Sequence, residues 1–60
     1  VHDQDEVFIL LQGKGVLSID GVEHAVKAGE VWIVEAGEDH HLRSSVEQPL
    51  VAVWYEVSRC

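Results

Sequence analysis

The stretch LLQGKGVLSIDGVEHAVKAGE, residues 10–30, decides the fold. Residues 16–19 and 22–26 are short, apolar-rich segments with the dipeptide Asp20-Gly21 between them. An Asp-Gly pair between two such segments is the strongest short-range hairpin signal, because both central residues of a type I′ turn need positive φ. Gly13-Lys14-Gly15 closes the run before the hairpin, and Lys27-Ala28-Gly29 makes the turn after it. No helical period of 3.6 persists here or elsewhere in the chain.

Working outward, residues 7–11 read as the preceding strand and 30–34 as the following one. A glycine-bearing turn at 36–39 leads to a strand at 40–44. Polar residues 45–49 turn the chain into a last apolar strand at 50–57. Six short strands with tight turns imply an all-β antiparallel barrel or sandwich. No linker, low-complexity segment, internal repeat or second domain interrupts residues 1–60, which are read as one domain.

A chain of 60 residues buries only about 60% of its unfolded surface, so a metal, disulfides or a partner is expected to supplement its core. The net charge is −7, and Lys14, Lys27, Arg43 and Arg59 are scattered. This argues against direct binding of nucleic acid or an anionic membrane, which need clustered bases. The single cysteine, Cys60, has no internal partner, so a reducing cytoplasm is the expected compartment. No apolar run is long enough to span a bilayer, and the start carries no signal-peptide pattern. The first residue is Val1 rather than methionine, which suggests processing or truncation.

The chemistry-bearing residues are His2, Glu6, His24, His40 and His41. In a straight strand His2 and Glu6 would lie about 13 Å apart, too far to share an ion. Asp3-Gln4-Asp5 between them favours a turn, which would make them cross-strand neighbours. Glu6, Phe8 and Leu10 then share one face, so a carboxylate enters an apolar interior and needs a partner there. A metal is one such partner. Taken alone, the pair reads as two solvated residues near a chain end, and so does the His40-His41 doublet. The doublet's members point to opposite faces of a strand, so they cannot share one role.

Both segments together resemble the cupin family. Its first motif runs G, five residues, HxH, three or four residues, E, six residues, G. His2, Glu6 and Gly13 fall on the second histidine, the glutamate and the closing glycine. The second motif runs G, five residues, P, one residue, G, two residues, H, three residues, N. Gly29, Gly37 and His40 match it, Glu35 stands at the proline and Ser44 at the asparagine. The 10–30 hairpin also resembles the family's segment between the motifs. The resemblance implies a cupin-type barrel or jelly roll, incomplete or completed by a partner subunit. The histidine that would open HxH falls before Val1, so N-terminal strands are expected to be missing.

The resemblance further implies a divalent transition metal (Fe, Mn, Ni, Zn, Co or Cu), with His2, Glu6 and His40 as its ligands here. Two imidazoles and a carboxylate suit such an ion with open positions. The proline-to-Glu35 change is expected to loosen the turn before His40. His24 and His41 are expected to be a half-buried and a surface histidine, and Trp32 and Trp54 core or interface aromatics. Glu38 and Asp39 read as solvated turn acids.

Three functions follow as expectations. The first is a small metal-binding cupin whose ion holds a small polar or carboxylated molecule, with dioxygenase, isomerase or decarboxylase chemistry if it is an enzyme. The second is a ligand-binding or sensing module without catalysis, and the third a truncated structural cupin without metal. A homodimer is expected in each, because an open barrel leaves strand edges and apolar surface to cover.

Overall fold

The computed structural model describes residues 4–58. The chain folds as β1 (Gln4–Gln12), β2 (Lys14–Ile19), β3 (Val22–Lys27), β4 (Val31–Val34), β5 (His40–Ser44) and β6 (Val51–Ser58). These are the six strands expected from the pattern, and no helix occurs among the described residues. All pairings are antiparallel, in two three-stranded sheets ordered β4-β1-β6 and β3-β2-β5. The architecture is an all-β sandwich, as the turn spacing implies.

Only the β2–β3 connection is a hairpin within one sheet. Asp20 (φ 49°) and Gly21 (φ 82°) both have the positive φ that an Asp-Gly turn of this kind requires. The other four connections carry the chain from one sheet to the other. The first switch is the sharpest. Gly13 (φ 78°) turns alone between β1 and β2, and its carbonyl accepts a 2.9 Å hydrogen bond from the Ala28 N–H. The segment between β5 and β6 runs directly across this corner, where the Lys14 N–H donates to the Gln48 carbonyl at 3.1 Å.

Side-chain alternation divides the strands cleanly. From β1, Phe8 and Leu10 point between the sheets and form the buried core with Leu17, Val26 and Val34. Ile19, Trp32, Leu42, Leu50 and Ala52 pack around them. Leu10, Leu17 and Val34 are at most 2% exposed. Glu30 ends the turn into β4, accepting hydrogen bonds from the Trp32 indole N–H and the Lys27 backbone N–H. Those donors, the indole first, hold its carboxyl below the usual carboxylate range.

One local expectation is corrected. Gln4 and Asp5 do not turn; they already belong to β1 and pair with Ser58 and Val57 of β6. Strand pairing satisfies their backbone groups here. The Asp5 carboxylate, which would otherwise favour a local turn, accepts a 2.8 Å hydrogen bond from the distant Ala36 N–H.

Candidate functional site

At one end of the sandwich the core gives way to polar side chains. Glu6 follows Phe8 and Leu10 on the inward face of β1, one strand turn closer to the end, and it lies opposite Val34 of β4 and Glu56 of β6. His40 begins β5 opposite Ile19, so its ring also faces between the sheets. The two sheets thus bring Glu6 Oε1 and His40 Nε2 to 3.4 Å of each other, with side chains 23% and 28% exposed. The Phe8 ring meets the imidazole edge-on, with centroids 5.7 Å apart. A cleft of about 410 Å³ opens over the pair, walled by Gln4, Val34, Glu35, Gly37, Glu38, Asp39 and Glu56.

Of the three expected ligands, Glu6 and His40 are brought together, and His2 lies outside the described residues. His41 pairs with Ser18 on the opposite face and is exposed, as its parity requires. His24 points inward and is half-buried, with its ring 5.2 Å from that of Trp32. That contact lies in a separate depression lined by Ile19, Val22 and Ile33. Trp54 lies against Phe8 at 6.4 Å but is 58% exposed, so it is not a core residue.

The loop that delivers His40 is tied down on both sides. The Asp20 N–H donates to the Asp39 carbonyl at 2.8 Å. In return the Asp20 carboxylate accepts from the Asp39 N–H at 2.9 Å. Next to Glu6, Asp5 holds the other end of the loop through Ala36. Glu35 does not leave the turn loose. Its N–H donates to the Glu38 carboxylate at 2.7 Å, and the Glu38 N–H donates back to the Glu35 carbonyl at 3.1 Å. A proline at position 35 has no N–H to give, so Glu38 supplies a closure that proline's rigidity would otherwise provide.

Asp20→Ala should therefore weaken both the fold and the placement of His40. Losing this exposed acceptor costs about 1 kcal/mol and alanine at the positive φ of Asp20 about 1–2 kcal/mol more, while loss of support next to a ligand costs about tenfold in metal affinity. Metal titration of Asp20→Ala beside Asp20→Asn checks this, because asparagine keeps both the acceptor and the tolerance for positive φ. Equal affinities in the two variants would show that the clamp does not position His40.

Sequence reading missed Glu56, Gln4, Asp5 and Asp20. Glu56 belongs to the site only because β6 pairs with β1 in a register that sets it directly opposite Glu6. Its one sequence signal is the alternation Ala52-Trp54-Glu56, which puts it on one face with two apolar residues.

The pair fits a divalent ion in donor type and spacing. Imidazole nitrogen and carboxylate oxygen are ligands of one class of ion. At metal–ligand distances of about 2.0–2.2 Å, two donors of a shared ion stand roughly 3–3.5 Å apart, which includes the observed separation. The spacing is long for a hydrogen bond, for which about 2.9 Å is typical. Glu6 also faces Glu56 across the strand pair, a like-charge juxtaposition that a cation would relieve. Among the described residues, no three His, Cys, Asp or Glu side chains gather closely enough to hold an ion by themselves. Glu6 and His40 would thus supply two ligands and leave the remaining positions open.

The sequence model of one family, described as a cupin domain, matches residues 1–56. No solved structure matches the chain.

Proposed function

The chain belongs to the cupin family, and from that premise we propose that it binds a divalent transition metal through Glu6 and His40, with His2 as the third ligand. The observation that carries this reading is the convergence of Glu6 and His40, from different sheets, at 3.4 Å beneath an open cleft. When bound, the ion supplies a Lewis acid that polarises an oxygen of a small molecule entering the cleft.

The surrounding residues act on that molecule directly. Val34 gives the cleft an apolar wall, and the Phe8 ring packs edge-on against the His40 imidazole and fixes its orientation. Carboxylates of Glu35, Glu38, Asp39 and Glu56 stand at the mouth and set a negative potential that favours entry of a cation. The same potential opposes a free carboxylate. A small polar, uncharged molecule is thus the substrate class the mouth favours, and a carboxylated one depends on the ion's charge to offset the rim.

Metal analysis of the purified protein tests the proposal. Near-stoichiometric transition metal is expected, as is a stability gain of about 2.7 kcal/mol at a free metal concentration 100 times Kd. His40→Ala should lose both. Metal-free protein whose unfolding temperature ignores added Mn, Fe, Ni and Zn would eliminate the reading.

A further inference from the structure

The depression beside His24 is a site in its own right. β3 and β4 are outer strands of different sheets and do not pair with each other. Between them lies a hollow of about 680 Å³, within the roughly 300–1,000 Å³ of small-molecule sites. Its walls are apolar: Ile19 and Val22 flank the Asp20-Gly21 turn, and Ile33 stands on β4. Val22 and Ile33 are 58% and 57% exposed. The imidazole of His24 and the indole of Trp32 meet across the gap, with centroids 5.2 Å apart and planes tilted by 45°. The indole N–H is committed to Glu30 Oε1 at 3.1 Å. Trp32 therefore offers the hollow carbon and π surface, not a donor. The charged residues at the rim are all acids: Asp20, Glu35 and Glu38 border it, and no Lys or Arg does. Two of these carboxylates are held in place by backbone donors, Asp20 by the Asp39 N–H and Glu38 by the Glu35 N–H.

We propose that this hollow binds a small methylated ammonium ion. Three features choose that chemistry. The rim carboxylates, on a chain of net charge −7, set a negative potential that draws in a cation and repels an anion. An indole is the side chain best suited to hold a cation through its ring quadrupole. The apolar walls would leave the N–H groups of a primary ammonium without partners, whereas a methylated nitrogen has none to satisfy. Glu35 and Glu38 border both this hollow and the cleft over Glu6 and His40, but the proposal does not rest on a metal there.

An NMR titration of the chain with choline chloride, at constant ionic strength and with a chelator present, tests it. Saturable shifts are expected at the Trp32 indole N–H and the amides of Val22 and His24, with a Kd on the order of a few millimolar. Two probes should each bind at least about tenfold more weakly. One is choline's uncharged analogue, with tert-butyl in place of trimethylammonium; the other is ethanolamine, whose nitrogen keeps its N–H groups. Val22→Lys puts a positive charge at the hollow from an exposed position and should also weaken choline at least about tenfold. Val46→Lys adds the same charge at a side chain 95% exposed and away from the hollow, and should leave the affinity unchanged. Far-UV circular dichroism verifies that both variants are folded. No saturable shift, or equal binding of the uncharged analogue or of ethanolamine, would overturn the proposal. Shifts confined to Glu6 and His40 would overturn it equally, because the ion would then occupy the other cleft.

Discussion

Gly13→Ala should leave the domain largely unfolded at room temperature. An added Cβ would stand 1.9 Å from the Pro49 carbonyl oxygen and 2.6 Å from that of Gln48, and both are backbone atoms with no rotamer to escape into. The φ of 78° adds the left-handed penalty of about 1–2 kcal/mol for alanine. Displacing the crossing segment adds about 1–3 kcal/mol of overpacking and about 1 kcal/mol for the hydrogen bond from Lys14 to Gln48. A total of about 3–6 kcal/mol compares with a whole-domain stability of about 3–9 kcal/mol at this length. Chemical denaturation followed by circular dichroism measures it. Gly29→Ala is the reference: φ there is 92°, but nothing lies within 4 Å of the added carbon, so it should cost only the backbone penalty. Equal losses at both positions would refute the close crossing at Gly13.

Leu17→Ala is the second large effect. Leu17 is 1% exposed and lies on the middle strand of its sheet, between His24 and Leu42 in register. In a domain with two thin sheets, few neighbours are available to collapse into the space. The expected loss is about 2–5 kcal/mol, which for so short a chain lowers the unfolding temperature by at least about 10 °C. Val46→Ala, at a side chain 95% exposed, should change stability by no more than about 0.5 kcal/mol. If the two substitutions cost alike, the core is not where the structure places it.

What was legible in the sequence was everything governed by local period. The Asp20-Gly21 turn, the strand alternation and the opposed directions of His40 and His41 follow from chemistry within a few residues. The side-chain face of Glu6 was legible for the same reason. What was not legible depends on pairing between distant strands. Asp3-Gln4-Asp5 carries turn-forming residues, yet Gln4 and Asp5 are held straight by β6, some fifty residues away. Glu56 enters the site through that same ladder. The support that Asp5 and Asp20 give the loop before His40 crosses between elements, so no spacing rule would have found it. Glu35 is the converse case: its departure from the family pattern suggested a loose turn, but Glu38, three residues on, closes it.

The ladder between β1 and β6 has one more consequence. Its register joins Gln4 to Ser58, so Glu6 and Glu56 become neighbours only after a loop of nearly the whole chain has closed. Loop closure of that span is an entropy cost met before any contact rewards it. The β2–β3 hairpin closes over a short turn, but it contributes neither Glu6 nor His40. The candidate site is therefore assembled from strands far apart in the sequence, and no short fragment of this sequence should carry its chemistry.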